Sequence, residues 1–95
     1  MKQDKYTRSA EGKECQIRLE GCLFSNDTTV LAHLNGAGMG IKSLNIHGAY
    51  ACSNCHDIVD GRQRSSLSQK QIELDHLRGV IRTQIIMVKE GILKL

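Results

Sequence analysis

The chain has 95 residues, 40% of them hydrophobic, with 24% charged and a net charge of +3. That length allows a single domain, and the ordinary charge balance excludes a chain disordered throughout. Proline and tryptophan are absent and the aromatics are Tyr6, Phe24 and Tyr50, so the large side chains that normally fill a small core are nearly missing. A domain this short buries only about 60% of its unfolded surface, and a metal, disulfides or a partner subunit is expected to help hold it.

Residues 1–14 are polar and charge-mixed and read as a loosely ordered N-terminal arm, with residues 15–95 as one domain. No apolar signal-peptide core and no run near 18 apolar residues is present, so a soluble cytoplasmic protein without a membrane span is expected. Between Cys15 and Cys22, Ile17 and Leu19 alternate with polar neighbours, which predicts a short strand ending in a turn at Gly21. Ser25-Asn26-Asp27 is a further turn signal. Thr28 to Leu34 is β-branched and apolar and predicts a strand carrying His33 near its end. A glycine-rich stretch, Asn35 to Gly40, leads through Lys42 to a second predicted strand, Ile46 to Ala51. Cys52-Ser-Asn-Cys55 is a tight turn, and His56 to Val59 opens a short helix stopped near Asp60-Gly61.

The last third predicts a long helix over about 69–90. Ser68 and Gln71 make a capping box, and Leu67 and Ile72 a hydrophobic staple. Leu74, Leu77, Ile81, Ile85, Val88 and Ile92 recur at spacings of three and four, which predicts one apolar face, and Gly91 is placed to end the helix. Val80, Ile86 and Met87 lie off that stripe, where they widen it or offer a homodimer contact. His76 reads as a surface residue.

Two cysteine pairs, Cys15-x6-Cys22 and Cys52-x2-Cys55, stand about thirty residues apart. Cys-x2-Cys is the spacing of a knuckle that turns two thiolates toward one tetrahedral ion. In a reducing compartment four such residues predict a structural Zn²⁺ site, which can supply folding free energy of the order of 10 kcal/mol. His47, His56 and Asp57 are substitute ligands, and buried free cysteines are the plainer alternative.

A strand ending in His33, a loop, a second strand and then Cys52-x-x-Cys55-His56 entering a helix resembles the ββα-metal core of HNH (His-Me finger) endonucleases. The strings VLAHLNGAGMGIK and ACSNCHDIVDGR are more similar still to the small prophage-encoded nucleases of the YbcO type. The resemblance implies an α+β fold: a zinc-knuckled ββα-metal core, treble-clef-like, with a long C-terminal helix. It implies metal-dependent hydrolysis of DNA. His33 matches the general base that takes a proton from the attacking water, and His56 the ligand of a catalytic Mg²⁺ or Mn²⁺. Asn45 or His47 fills the middle position that orients the base. At Ala32 the chain departs from the many relatives with an acidic or histidine ligand, which shifts that duty to Asn45 or His47 or weakens the ion's hold.

A neutral imidazole is an effective base at cellular pH, and a divalent ion stabilises phosphoryl charge and the leaving oxygen. Lys42, Arg62 and Arg64 are the candidate phosphate contacts on the nucleic acid. A rival reading of another class is a non-catalytic zinc module that binds nucleic acid or protein. His33 separates the two, because such a module has no need of an imidazole at that strand end.

Overall fold

The computed structural model describes residues 5–23, 26–34 and 45–94; Lys42, Phe24 and the glycine-rich stretch lie outside them. Element order is α1 (Lys5–Ser9), β1 (Val30–His33), the 3-10 turn Asn45–His47, β2 (Gly48–Ala51), α2 (Ser53–Val59) and α3 (Gln69–Lys89). This is a small α+β architecture. β1 and β2 pair antiparallel, with Leu31 opposite Tyr50, Ala32 opposite Ala49 and His33 opposite Gly48.

Because strand side chains alternate between faces, this register sorts the hairpin onto two cores. Ala32, Ala49 and Ala51 face a cluster with Cys15, Ile17, Leu19, Cys52, Cys55, Ile58, Ile72 and Val80. Leu31 and Tyr50 face the other, with Ala10 and Met87. Small residues on one face let the cysteine loops approach closely. At Gly48 even a Cβ would lie 2.6 Å from Leu31 Cγ, so only glycine fits opposite His33.

The segment from Cys15 to Cys22 is no strand. Arg18 takes a left-handed conformation (φ 58°) that breaks the extended alternation, and Gly21 (φ 86°) makes the expected turn. Ile17 and Leu19 are nonetheless both buried. The segment touches the sheet edge where the Gln16 N–H donates to the Tyr50 carbonyl at 2.7 Å. The N-terminal segment, expected as a loose arm, contains α1. Ser9 Oγ lies 2.8 Å from the Tyr50 hydroxyl, and Ala10 joins the second core.

α3 begins as the sequence predicts. Ser68 caps it by accepting from the Gln71 N–H at 3.1 Å, while Leu67 and Ile72 join one cluster. The reciprocal half of the capping box is replaced, since the Gln71 amide donates to Asp75 Oδ2. The apolar stripe, however, faces outward. Leu74, Leu77, Ile81, Ile85 and Val88 are 37–52% exposed, whereas Ile72, His76, Gly79, Val80, Thr83 and Met87 are buried. The face that packs is chosen by close approach and polar bonds. At Gly79 a Cβ would meet Ile17 and the Gln16 carbonyl at 3.0–3.1 Å, and Thr83 Oγ1 accepts from the Tyr50 N–H. Among the described residues no helix is long and apolar enough to cross a membrane.

Candidate functional site

The sulfurs of Cys15, Cys22, Cys52 and Cys55 all lie within 4.8 Å of one another. Cys52 is the N-cap of α2 and Cys55 lies in its first turn. Cys15 and Cys22 come from the buried loop against the edge of β2. Cys22 Sγ and Cys52 Sγ are 3.8 Å apart, far from the roughly 2.05 Å of a disulfide. Sulfurs about 2.3 Å from a tetrahedral zinc stand about 3.8 Å from each other, so the spacing fits that ion. The electrostatics agree. The Cys55 thiol donates toward Cys15 and lowers the Cys15 pKa to about 4, while that same bond and burial push Cys55 up. Thiolates crowded in this way need a cation among them to coexist. The donor set thus fits a metal ion such as zinc.

A second group of residues lies where the hairpin meets α2 and α3. His33 ends β1, and the next residue's N–H, of Leu34, donates to the His47 carbonyl at 3.1 Å. His47 closes the 3-10 turn that also contains Asn45. His56, on α2, has its Nε2 3.3 Å from Asp60 Oδ2, and Arg62 reaches the same oxygen at 3.9 Å. Asp60 is a residue that sequence reasoning passed over as a helix stop; its i,i+4 spacing from His56 was the available signal. Arg62 and Arg64 are exposed, as phosphate contacts require. Ala32 is buried among the alanines and offers no side-chain ligand.

His76 corrects the sequence reading most directly. It is 5% exposed, and its Nε2 lies 2.8 Å from the Ala32 carbonyl, one residue before His33. Burial drives its pKa down, against the hydrogen bond to Ala32 and the nearby Asp60 carboxylate; His56 and His33 add to the depression. His76 is thus within electrostatic reach of Asp60, His56 and His33. About two turns further along the same helix, Gln84 Nε2 donates to the Ile46 carbonyl, beside His47. α3 therefore grips the backbone next to both hairpin histidines.

Fold and site together define a small α+β domain with a four-cysteine cluster that fits a metal ion, and with His33 and His47 at the connected end of its hairpin. The chain belongs to the YbcO family: residues 4–92 match the family model described as "Putative nuclease YbcO". It is 37% identical over 91 residues to the proteins of that name from Escherichia coli (strain K12) and Enterobacteria phage 82, covering 92% of this chain and 94% of each relative. A solved structure, described as that of a putative bacteriophage protein from E. coli K-12 MG1655, superposes with a TM-score of 0.78 at 36% identity. It covers 90% of this chain and 98% of the other.

Proposed function

We propose that the chain is a metal-dependent endonuclease of the HNH type that hydrolyses DNA phosphodiester bonds. A structural zinc on Cys15, Cys22, Cys52 and Cys55 holds the scaffold. The observation that carries the reading is the placement of His33 at the end of β1 and of His56 on α2 directly after Cys55 of the four-cysteine cluster. The nuclease name shared by the family model and both relatives supports it.

In this reading His33 takes the proton from the attacking water, a step for which imidazole is suited near neutral pH. Asn45 or His47, on the turn opposite, orients His33. His56 holds the catalytic divalent ion, and Asp60 fixes the imidazole as carboxylates fix metal-bound histidines elsewhere. When bound, Mg²⁺ or Mn²⁺ supplies charge stabilisation for the phosphoryl group and the leaving oxygen. Arg62, Arg64 and Lys42 bind phosphate oxygens along the strand. The protein works in the cytoplasm as a product of prophage origin, in keeping with the phage relative.

The test is nicking of supercoiled plasmid with Mg²⁺, Mn²⁺ or no added metal. His33→Ala is expected to keep fold and zinc content and lose at least about a hundredfold in rate, since a general base contributes 10²–10⁴-fold. Equal nicking by wild type and folded His33→Ala overturns the base assignment. A wild type that binds nucleic acid without cutting it favours the zinc-module reading, which the buried Ala32 at the missing ligand position supports.

A further inference from the structure

Among the buried polar groups of the described residues, His76 is the one whose hydrogen bond ends beside the proposed base. It lies in the middle of α3, where Gly79, one turn on, brings the helix against the Ile17 loop. The close approach seats the His76 ring against β1. Its partner is a carbonyl, which can only accept, so Nε2 carries the proton and the bond is a single N–H···O link 2.8 Å long. α3 thereby makes a side-chain bond to the last residue before His33 in β1, a four-residue strand whose sheet, among the described residues, has two strands. Such a short hairpin has little stiffness of its own. A base misplaced by about 1 Å can cost about 10²-fold in rate, so whatever holds this strand end acts on the chemistry.

We propose that His76 is a positioning residue for catalysis: its Nε2–H, bonded to the Ala32 carbonyl, holds the end of β1 so that the His33 imidazole keeps its working orientation. This rests on the nuclease reading for its kinetic consequence and on geometry alone for its structural one. The requirement is for a donor at one point, not for an imidazole. A glutamine can place its amide nitrogen close to where Nε2 stands, whereas the asparagine amide is too short and leucine has no donor. Gln84, bonded to the Ile46 carbonyl, does the equivalent work for the turn that contains Asn45 and His47.

The full-length, zinc-loaded protein and its His76→Gln, His76→Asn and His76→Leu variants are compared by plasmid nicking. Melting, zinc content and the NMR resonances of the His33 ring are followed in parallel. His76→Gln is expected to stay within about threefold of wild type in kcat. His76→Leu or His76→Asn should lose roughly 10–100-fold in kcat with KM nearly unchanged and full zinc, the scale seen when partners of site histidines are removed. The His33 ring signals should shift in the Leu and Asn variants and coincide with wild type in His76→Gln. If His76→Leu does not fold, the Asn and Gln pair carries the comparison. Equal kcat in the Gln and Asn variants, both folded, overturns the proposal. If the wild type cuts no nucleic acid, the nuclease reading fails, and the ring signals alone then decide: unshifted resonances in the donor-lacking variants overturn the positioning role as well.

Discussion

Cys22 and Cys52 hold their sulfurs 3.8 Å apart within a cluster that the Cys15 and Cys55 thiols complete. Cys52→Ser removes one of four donors and leaves the other thiolates crowded. It is expected to unfold the domain at ambient temperature, since zinc can contribute of the order of 10 kcal/mol where the aromatic core is this small. Elemental analysis should give about one zinc per wild-type chain. A Cys52→Ser variant that keeps both zinc and its melting temperature contradicts the centre. His76 makes a different prediction. Its pKa lies below the unfolded value because burial disfavours the imidazolium, with His33 and His56 opposing charge and Asp60 favouring it. Below about pH 6.5 the unfolded chain therefore binds a proton that the folded one resists, and stability falls as pH falls. The effect is fully avoided above that pH. His76→Gln cannot titrate, so the wild type should lose melting temperature relative to it between pH 7 and 5. Parallel curves for the two proteins would remove His76 as the cause.

α3 shows what was legible in the sequence and what was not. Its ends were written in local chemistry: Ser68 caps it, Gly91 follows it with φ 75°, and the observed bounds are Gln69–Lys89. Its inner face was not, because hydropathy ranks Leu and Ile above Gly, Thr and His. The residues that seat the helix are Gly79, which allows close approach, and Thr83 and His76, which satisfy backbone groups of the hairpin. The strand with His33 and the Cys-x2-Cys knuckle were legible because β-branched runs and thiol spacing are local signals. The route of Cys15 to Cys22 was not, since it depends on the left-handed turn at Arg18. The outward stripe of α3 now has a simpler meaning. Leu74, Leu77, Ile81, Ile85 and Val88 step by three, four, four and three, a pattern close to an eleven-residue repeat that runs nearly straight along a helix. Over about 21 Å it offers a self-matching apolar face, and pairing of two copies through α3 is the proposed association. Ile81→Glu with Ile85→Glu should convert a dimer to a monomer in sedimentation experiments and leave melting within a few degrees. A monomeric wild type at high micromolar concentration contradicts the pairing.

At the scale of the whole molecule, the hairpin is shared by two cores of different chemistry. One face carries Ala32, Ala49 and Ala51 against the cysteine cluster, and the other carries Leu31 and Tyr50 against Ala10 and Met87. The second core also ties the α1 segment to the end of α3. Ser9 donates to the Tyr6 carbonyl, which leaves the Tyr50 hydroxyl to donate to Ser9 Oγ, and Lys13 pairs with Glu90 at 3.2 Å. Neither core is large enough to stand alone, and α3 crosses both, placing Val80 in the first and Met87 in the second. Loss of the metal centre should therefore not leave a folded remainder. When a strong chelator is titrated into the protein, the far-ultraviolet helix signal and the near-ultraviolet signal of buried Tyr50 are expected to fall together. That coincidence is the mark of one cooperative unit. Restoring zinc should return both along the same curve. Retention of the helix signal after Tyr50 has become exposed would show that α3 is stable without the hairpin, and that the two cores fold separately.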